Sequence, residues 1–146
     1  MKQAPKPAPR RVPAVARATQ PTAARASVVR GDLWAVDFEP QSDREEPGKT
    51  GRPALVLQTD ALNRAGHAST IVIPGTSQLG ALEEDDLFPL RVRLPAATGT
   101  GLREATDLLI DQVRAVSNRR LIRRLGSVDA VALARAEQAL RWLTGV

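Results

Sequence analysis

The chain has 146 residues, of which 42% are hydrophobic and only 3% aromatic, so the composition allows one core built mainly from aliphatic side chains. The absence of Cys and the single His exclude disulfides, thiolate nucleophiles, zinc–thiolate sites and catalysis by a pair of histidines. The net charge of +5 arises in residues 1–29, which carry six basic side chains and no acid, whereas residues 30–146 carry 15 basic and 16 acidic side chains. A nucleic-acid site in the domain must therefore depend on the local placement of Arg rather than on bulk charge.

Residues 1–27 are rich in Pro, Ala and Arg, which predicts a disordered basic extension ahead of a single domain at residues 28–146. One interpretation is a basic arm that contacts nucleic acid. The other is a terminus without function, which is solvated or results from a start codon placed too far upstream. The second is favoured because termini are commonly unstructured. The sequence has no apolar run of membrane-spanning length and no apolar segment after the N-terminal charges. Neither a transmembrane helix nor a secretion signal is predicted, and a cytoplasmic location is expected.

Apolar segments of the domain predict five or six strands. In the first, Trp34, Val36 and Phe38 share one face, whereas the second is apolar along nearly its whole length and is expected to be buried on both faces. The fourth alternates strictly, so Arg91 and Arg93 are expected to face solvent. The predicted strands are 33–38, 53–59, 69–74 and 90–94, followed by 106–111 and 112–116, which form one long strand or two joined by a bend.

Two helices are predicted after the strands. Ser117 is expected to cap a short helix that runs through Leu125 and ends at Gly126, and Asp129 to cap a second helix that ends at Gly145. The second helix has apolar side chains at helical spacing, namely Leu133, Ala136, Leu140 and Leu143. Strands followed by helices with short connections indicate a mainly β (α+β) fold, a small barrel-like antiparallel sheet with a C-terminal helix packed on it.

Familiar catalytic motifs are missing from the sequence. Residues 48–50 read GKT but lack the upstream glycine and the following helix of a phosphate-binding loop. His67 lies in a polar stretch typical of an exposed loop, and the acidic run at residues 83–86 is more typical of a solvated charge cluster than of a cation site. No metal site and no cofactor are therefore predicted.

Arginines and hydroxyls are sufficient for one class of chemistry, the cleavage of RNA. The substrate supplies its own nucleophile, because a 2′-hydroxyl lies beside each phosphodiester, and the protein must orient the phosphate and donate hydrogen bonds to its oxygens. The planar guanidinium of Arg suits this task, since it donates two bonds to phosphate and keeps its charge at neutral pH.

Five segments of the domain follow one another in a recognisable order. They are residues 30–40 (RGDLWAVDFEP), 51–57 (GRPALVL), Asp60 with Leu62 and Asn63, residues 70–77 (TIVIPGTS), and residues 109–116 (LIDQVRAV) followed by 119–121 (RRL). In order and spacing this pattern, which spans roughly residues 29–146, resembles the MazF/PemK family of bacterial toxin–antitoxin toxins.

The resemblance implies a small SH3-like barrel of the MazF/PemK/CcdB type that forms a homodimer. It implies a sequence-selective, metal-independent endoribonuclease that cleaves single-stranded mRNA to a 2′,3′-cyclic phosphate and a 5′-hydroxyl, and that a cognate antitoxin neutralises. Arg52 takes the role of the catalytic arginine, which binds the phosphate and donates a proton to the leaving oxygen, and Thr76 that of the hydroxyl that holds the phosphoryl group. The positions carried over as RNA-binding are Glu45, Ser77, Gln112 and Arg114.

The loop before Arg52 departs from the pattern of the family. The family reads GSEQxGxRP, whereas here only Glu45 and Gly48 match and the loop is longer. Because this loop shapes the substrate groove, the resemblance does not imply a cleavage sequence.

Structural alternatives exist for each site residue. Arg52 could end a strand and pair with Asp37 or Glu45, Thr76 could bond to the backbone, and residues 111–112 could form a β-bulge. Four further arginines are more typical of a solvated helix face than of an RNA contact, namely Arg119, Arg120, Arg123 and Arg124.

Two functions from different classes stay open at this point. One is the ribonuclease toxin, and the other is a binding module on the same barrel, resembling CcdB, that inhibits a protein such as DNA gyrase. The matches at Arg52 and Thr76 favour cleavage, because a binding module needs neither. Cleavage of single-stranded RNA in the presence of EDTA distinguishes them.

Overall fold

Antiparallel pairing organises the part of the chain that the computed structural model describes, which comprises residues 28–38, 51–80 and 87–146. The predictions for residues 1–27, for Glu45 and its loop, and for the acidic run at 83–86 lie outside these residues. Seven strands form one sheet in the order β4-β5-β3-β2-β1-β7, with β6 also paired to β3. They are β1 (Asp32–Val36), β2 (Arg52–Val56), β3 (Ser69–Thr76), β4 (Arg91–Leu94), β5 (Thr106–Leu109), β6 (Arg114–Ser117) and β7 (Leu121–Ser127).

The longest strand, β3, is the centre of this sheet. One edge of β3 pairs with β2, and the other is shared, because β6 pairs with its first half and β5 with its last two residues. A 3₁₀ turn at Ile110–Gln112 redirects the chain between β5 and β6, so the alternative of two strands joined by a bend is confirmed. The fold is roughly barrel-like, but the sheet is open because the described strands do not close on themselves.

Each face of the sheet buries its own apolar cluster, because side chains alternate between the two faces along every strand. The first cluster packs Leu33, Leu55 and Ile73 against the C-terminal helix. The second contains Trp34 and Val36 with Phe38 packed against them, which confirms the predicted shared face. Three consecutive residues of β2, at positions 54–56, are fully buried, so this strand is covered on both faces as expected.

Two helices complete the described fold. The C-terminal helix α2 (Ala130–Thr144) begins where Asp129 Oδ1 accepts a 2.7 Å hydrogen bond from the Ala132 N–H, and it ends at Gly145, whose φ is 74°. Its predicted apolar stripe packs on the first cluster as Leu133, Ala136, Leu140 and Leu143. The five-residue helix α1 (Asp60–Arg64) was not predicted. No helix within the described ranges is long and apolar enough to cross a membrane.

Side-chain amides fix α1 to the sheet. The Gln58 Nε2 atom donates to Asn63 Oδ1 at 3.0 Å, and the Asn63 Nδ2 atom donates back to the Gln58 carbonyl at 3.2 Å. Gln58 Oε1 also accepts from the Ile71 N–H of β3. Gln58 and Asn63 are both buried, so their mutual bonds satisfy groups that would otherwise be costly to remove from water.

The predicted helix over residues 117–125 is wrong. These residues include most of β7, and Ser117 caps only the 3₁₀ turn Asn118–Arg120, where its hydroxyl accepts from the Arg119 N–H. The physical reason is the burial of β1, whose five residues are all buried and whose second edge needs backbone partners. Pairing with β7 provides them, so the tertiary requirement outweighs the local helix signals at Ser117 and Gly126.

We predict that β7 does not tolerate a side chain at Gly126. A Cβ there would lie 2.5 Å from the Thr100 carbonyl carbon, so Gly126→Ala should lower the free energy of unfolding by roughly 1–3 kcal/mol. Gly99→Ala is the matched control, because a Cβ at Gly99 meets no atom within 4 Å. Urea unfolding measures both variants, and equal stability of the two would contradict this packing.

Candidate active site

The pairing of β2 with β3 brings the two predicted catalytic residues together. The register pairs Ala54 with Pro74, and its continuation by two residues places Arg52 opposite Thr76. A Cβ at Gly75 would lie 3.2 Å from the Pro53 carbonyl oxygen, which confirms that the strands remain close at this end. Side chains directly opposite each other on antiparallel strands share a face and have Cβ atoms about 5 Å apart. Extended in this way, the register puts Arg52 and Thr76 on one face of the sheet.

The Thr76 side chain lies at the C-terminal end of β3 and is 9% exposed. Its Oγ1 atom accepts a 3.1 Å hydrogen bond from the Gln78 N–H. The backbone bond that we considered as a structural alternative is therefore present. It uses one acceptor position of the hydroxyl, whose proton can still be donated to another oxygen. A bound phosphoryl oxygen is an acceptor of that kind.

Arg52 is exposed at the first position of β2. No hydrogen bond or ion pair involves its guanidinium within the part of the chain that the structure describes, and the alternative partner Asp37 does not pair with it there. The other alternative, Glu45, lies outside the described residues. An exposed guanidinium beside a nearly buried hydroxyl has the donors needed to bind a phosphate.

The other predicted RNA-binding residues lie at varying distances from this pair. Ser77 is exposed and follows Thr76 directly, at the point where β3 ends. Arg114 lies four residues back along the sheet, opposite Val72, and its Cζ atom is 5.7 Å from the centre of the Phe38 ring. Gln112 is exposed at the end of the 3₁₀ turn, and no described contact joins it to the pair. The predicted set is thus partly assembled: Ser77 adjoins the pair and Gln112 does not.

A buried carboxylate lies next to Thr76, and sequence reasoning missed it. Asp107 on β5 pairs with Thr76 on one side and with Arg93 of β4 on the other. The residues at matching positions of four neighbouring strands therefore form one row, which is Arg93, Asp107, Thr76 and Arg52. The available signal was an Asp inside an otherwise apolar strand, because such a residue is rarely buried without a partner.

The strand β4 alternates between buried and partly exposed positions as predicted, but Arg91 and Arg93 face solvent only in part. Arg93 Nε donates to Asp107 Oδ1 at 2.8 Å, and Arg91 Nη1 donates to Oδ2 at 3.2 Å, where the Gly80 N–H also donates at 2.9 Å. The Asp107 side chain is fully buried, whereas those of the two arginines are 31% and 21% exposed. A buried charge requires compensation, so the arginines turn towards the carboxylate. We call these four residues the Asp107 cluster.

The pKa of Asp107 reflects two opposed effects. Burial raises it, but the hydrogen bonds from Arg93, Gly80 and Arg91, together with the positive charge of Arg93, lower it by more, so the pKa lies below its ordinary value. Asp107 is therefore ionised at neutral pH. Within the described ranges, no group of three or more His, Asp or Glu residues is placed to hold a metal ion.

We predict that the Asp107 carboxylate contributes stability that is lost in acid. Because its pKa is lower in the folded than in the unfolded chain, the contribution is complete above about pH 4 and falls as the pH drops through the folded-state pKa. Asp107→Asn should lower the free energy of unfolding by about 3 kcal/mol at pH 7 and by less at pH 3. Urea unfolding at both pH values tests this, with Asp111→Asn at an exposed position as the control. A cost that is the same at both pH values would contradict it.

Known proteins resemble this chain along most of its length. A family model described as the PemK-like, MazF-like toxin of type II toxin–antitoxin systems matches residues 29–144. Endoribonuclease MazF9 of Mycobacterium tuberculosis is 34% identical over 116 residues, 77% of this chain and 92% of that protein. Endoribonuclease toxin ChpB of Escherichia coli is 36% identical over 119 residues, 80% of this chain and 91% of that protein.

The fold agrees with these sequence similarities. The crystal structure of MazE–MazF (Form II) from Deinococcus radiodurans superposes with a TM-score of 0.63 at 30% sequence identity, covering 82% of this chain and 96% of that one. The mainly β fold with a C-terminal helix is thereby confirmed. Because the family model covers the described domain except for its outermost residues, the chain belongs to the PemK-like, MazF-like family of toxins of type II toxin–antitoxin systems.

Proposed function

We propose that the chain is an endoribonuclease toxin that cleaves single-stranded RNA at the Arg52–Thr76 pair. The observation that carries this proposal is the β2–β3 register: continued by two residues beyond the Ala54–Pro74 pair, it aligns the exposed Arg52 with the nearly buried Thr76. The relatives named as endoribonucleases support the activity. RNA as substrate is consistent with a cytoplasmic site of action.

The proposed reaction requires little from the protein beyond orientation and charge. The substrate 2′-hydroxyl attacks the adjacent phosphorus and loses its proton to solvent water. The bond from phosphorus to the 5′-oxygen breaks, and that oxygen gains a proton from Arg52, which solvent then reprotonates. Products are a 2′,3′-cyclic phosphate and a 5′-hydroxyl. Arg52 donates hydrogen bonds to the phosphoryl oxygens and to the leaving oxygen, where negative charge grows, so it stabilises the transition state more than the bound substrate.

Thr76 complements Arg52 by holding the phosphoryl group in a fixed position. Its hydroxyl is already oriented by the Gln78 N–H, so little freedom is lost when substrate binds. Ser77 and Arg114 lie near enough to contact the flanking RNA, and we assign Gln112 and Glu45 the same role by family resemblance. No metal or cofactor takes part in this mechanism.

The alternative function, inhibition of a protein target by a CcdB-like binding module, has no support in the similarities to known proteins. A second observation opposes it: a surface that only binds another protein has no need for an exposed arginine opposite a hydroxyl that the Gln78 N–H orients. The ribonuclease is therefore the function that we propose.

We predict that the purified protein cleaves a mixed-sequence single-stranded RNA in the presence of excess EDTA. The chemistry relies on a guanidinium and a hydroxyl, neither of which needs a divalent cation. Gel analysis of the products measures it, with Arg52→Ala as the negative control. Cleavage that EDTA abolishes and magnesium restores would contradict the proposed mechanism.

We predict that Arg52→Ala lowers the cleavage rate by several orders of magnitude while the fold survives, because Arg52 is exposed and its loss removes about 3–5 kcal/mol of transition-state stabilisation. Arg52→Lys should recover little, since a point charge cannot reproduce the two parallel bonds of a guanidinium. Thr76→Ala should lose less than Arg52→Ala, because a neutral donor contributes less than a charged one.

Single-turnover cleavage of a short RNA measures these variants, and circular dichroism confirms that each is folded. Arg141→Ala is the matched control, an exposed arginine on α2, which packs against the opposite face of the sheet. A folded Arg52→Ala variant that cleaves at nearly the wild-type rate would overturn the assignment of the active site.

Partners follow from the same family assignment. We infer a cognate antitoxin, because the Deinococcus radiodurans relative was solved as MazE–MazF, and we infer a homodimer from the family resemblance. An antitoxin segment rich in carboxylates would bind where phosphate otherwise binds. Light scattering at micromolar concentration should give twice the mass of the chain, and a monomer would contradict the dimer.

A further inference from the structure

The segment of four residues that follows Thr76 is bonded at Gln78 and Gly80 to the side chains of Asp107, Arg91 and Arg93. The Gly80 N–H donates to Asp107 Oδ2 at 2.9 Å, and the Gly80 carbonyl accepts from Arg93 Nη2 at 3.3 Å. Closer to the site, the Gln78 carbonyl accepts from Arg91 Nη1 at 3.2 Å. Asp107 thus binds this backbone directly, and the two arginines that bond to Asp107 bind its carbonyls.

Gln78 is the link between this cluster and the Thr76 hydroxyl. Its carbonyl binds Arg91, while its N–H donates to Thr76 Oγ1 at 3.1 Å. A chain of three hydrogen bonds thus runs from the Asp107 carboxylate through Arg91 and Gln78 to the hydroxyl. The strand pairing provides a second, shorter connection, because Asp107 lies directly opposite Thr76 on β5.

We propose that Asp107 is a positioning residue of the active site, which orients the Thr76 hydroxyl by holding Arg91, Arg93 and the backbone of residues 77–80. This inference rests on the proposed function. Asp107 does not touch the substrate in this account, since its side chain is fully buried. Its charge matters because charge-assisted bonds are stronger than neutral ones and fix the arginines to the backbone carbonyls. A misplacement of a positioned group by about 1 Å can cost catalysis up to a hundredfold.

A second buried carboxylate provides a matched control. The Asp32 side chain is 5% exposed, its Oδ1 atom accepts from Arg124 Nε at 3.2 Å, and its Oδ2 atom accepts from the Val29 N–H at 3.1 Å. Asp32 lies at the far end of β1, four residues from Val36, the residue that pairs with Arg52. That distance is about 13 Å along the strand. Asp32→Asn thus removes a similar structural carboxylate with no connection to Thr76.

The first experiment compares Asp107→Asn and Asp32→Asn in single-turnover cleavage of a short RNA. We expect Asp107→Asn to lower the maximal rate about tenfold while the RNA concentration at half-maximal rate changes less than about threefold, because orientation and not affinity is lost. Asp32→Asn should keep the wild-type rate. Equal rates for the two variants would overturn the positioning role.

A double-mutant cycle with Thr76→Ala separates positioning from general damage. If Asp107 acts through the Thr76 hydroxyl, adding Asp107→Asn to Thr76→Ala should lower the cleavage rate almost no further. Adding it to Arg52→Lys should lower the rate by the full factor seen in the otherwise wild-type protein. Additive losses in both backgrounds would show that Asp107 is only structural. Should Asp107→Asn fail to fold, Arg91→Met takes its place in the same cycle, since Arg91 is partly exposed and its loss removes the bond to the Gln78 carbonyl.

Amide hydrogen exchange gives a readout that does not depend on cleavage. The Gln78 N–H, which bonds to Thr76 Oγ1, should exchange at least several-fold faster in Asp107→Asn than in the wild-type protein. In Asp32→Asn its exchange rate should equal that of the wild-type protein. Unchanged exchange at Gln78 in Asp107→Asn would contradict the inference. Absence of RNA cleavage by the wild-type protein would instead contradict the proposed function, so the two failures are distinguishable.

Discussion

The register between β2 and β3 is the constraint on which the candidate site depends. Neither Arg52 nor Thr76 is placed by a bond to the other; each is placed by the backbone pairing of the strand that carries it. A slip of one residue would move every side chain of β2 to the opposite face and separate the guanidinium from the hydroxyl. Burial opposes such a slip, because Leu55 belongs to the core beneath α2 while Ala54 and Val56 belong to the core on the other face. The two apolar clusters therefore fix the geometry of a polar site that lies at the end of both strands.

The sheet contains arginines in two different electrostatic environments. In the Asp107 cluster, a fully buried carboxylate is compensated by two arginines and a backbone N–H, which fixes a segment of the chain. Arg52, one strand beyond Thr76, has no carboxylate partner within the described residues, and its guanidinium faces solvent. An arginine bonded to a carboxylate has already used the donors that would bind phosphate. The separation of the two roles supports the assignment, made from the family resemblance, of the catalytic role to Arg52 and not to Arg91 or Arg93.

Much of the fold was predictable from local patterns, and the failures have a common physical origin. Alternation identified β1, and the cap at Asp129 with its apolar stripe identified α2. A helix was predicted for residues 117–125 because Ser117 resembles an N-cap and Gly126 a helix end, whereas the pairing of β7 with β1 is interrupted by two register shifts that disturb alternation. The Asp107 cluster was missed because its other members lie 14 to 27 residues from Asp107 in sequence and meet it only through the sheet. For the site itself, family resemblance named Arg52 and Thr76, and only the strand register could place them opposite each other.

In the proposed reaction, the RNA provides its own nucleophile and the protein provides orientation and charge. The sharpest test replaces the 2′-hydroxyl of each nucleotide in turn with hydrogen in one short RNA. We expect a single 2′-deoxy substitution at the nucleotide on the 5′ side of the cleaved bond to abolish cleavage there, and the same substitution elsewhere to leave it nearly unchanged. Mass spectrometry of the products should find a 2′,3′-cyclic phosphate and a 5′-hydroxyl. Cleavage of the substituted bond, or a product with a 5′-phosphate, would rule out this mechanism.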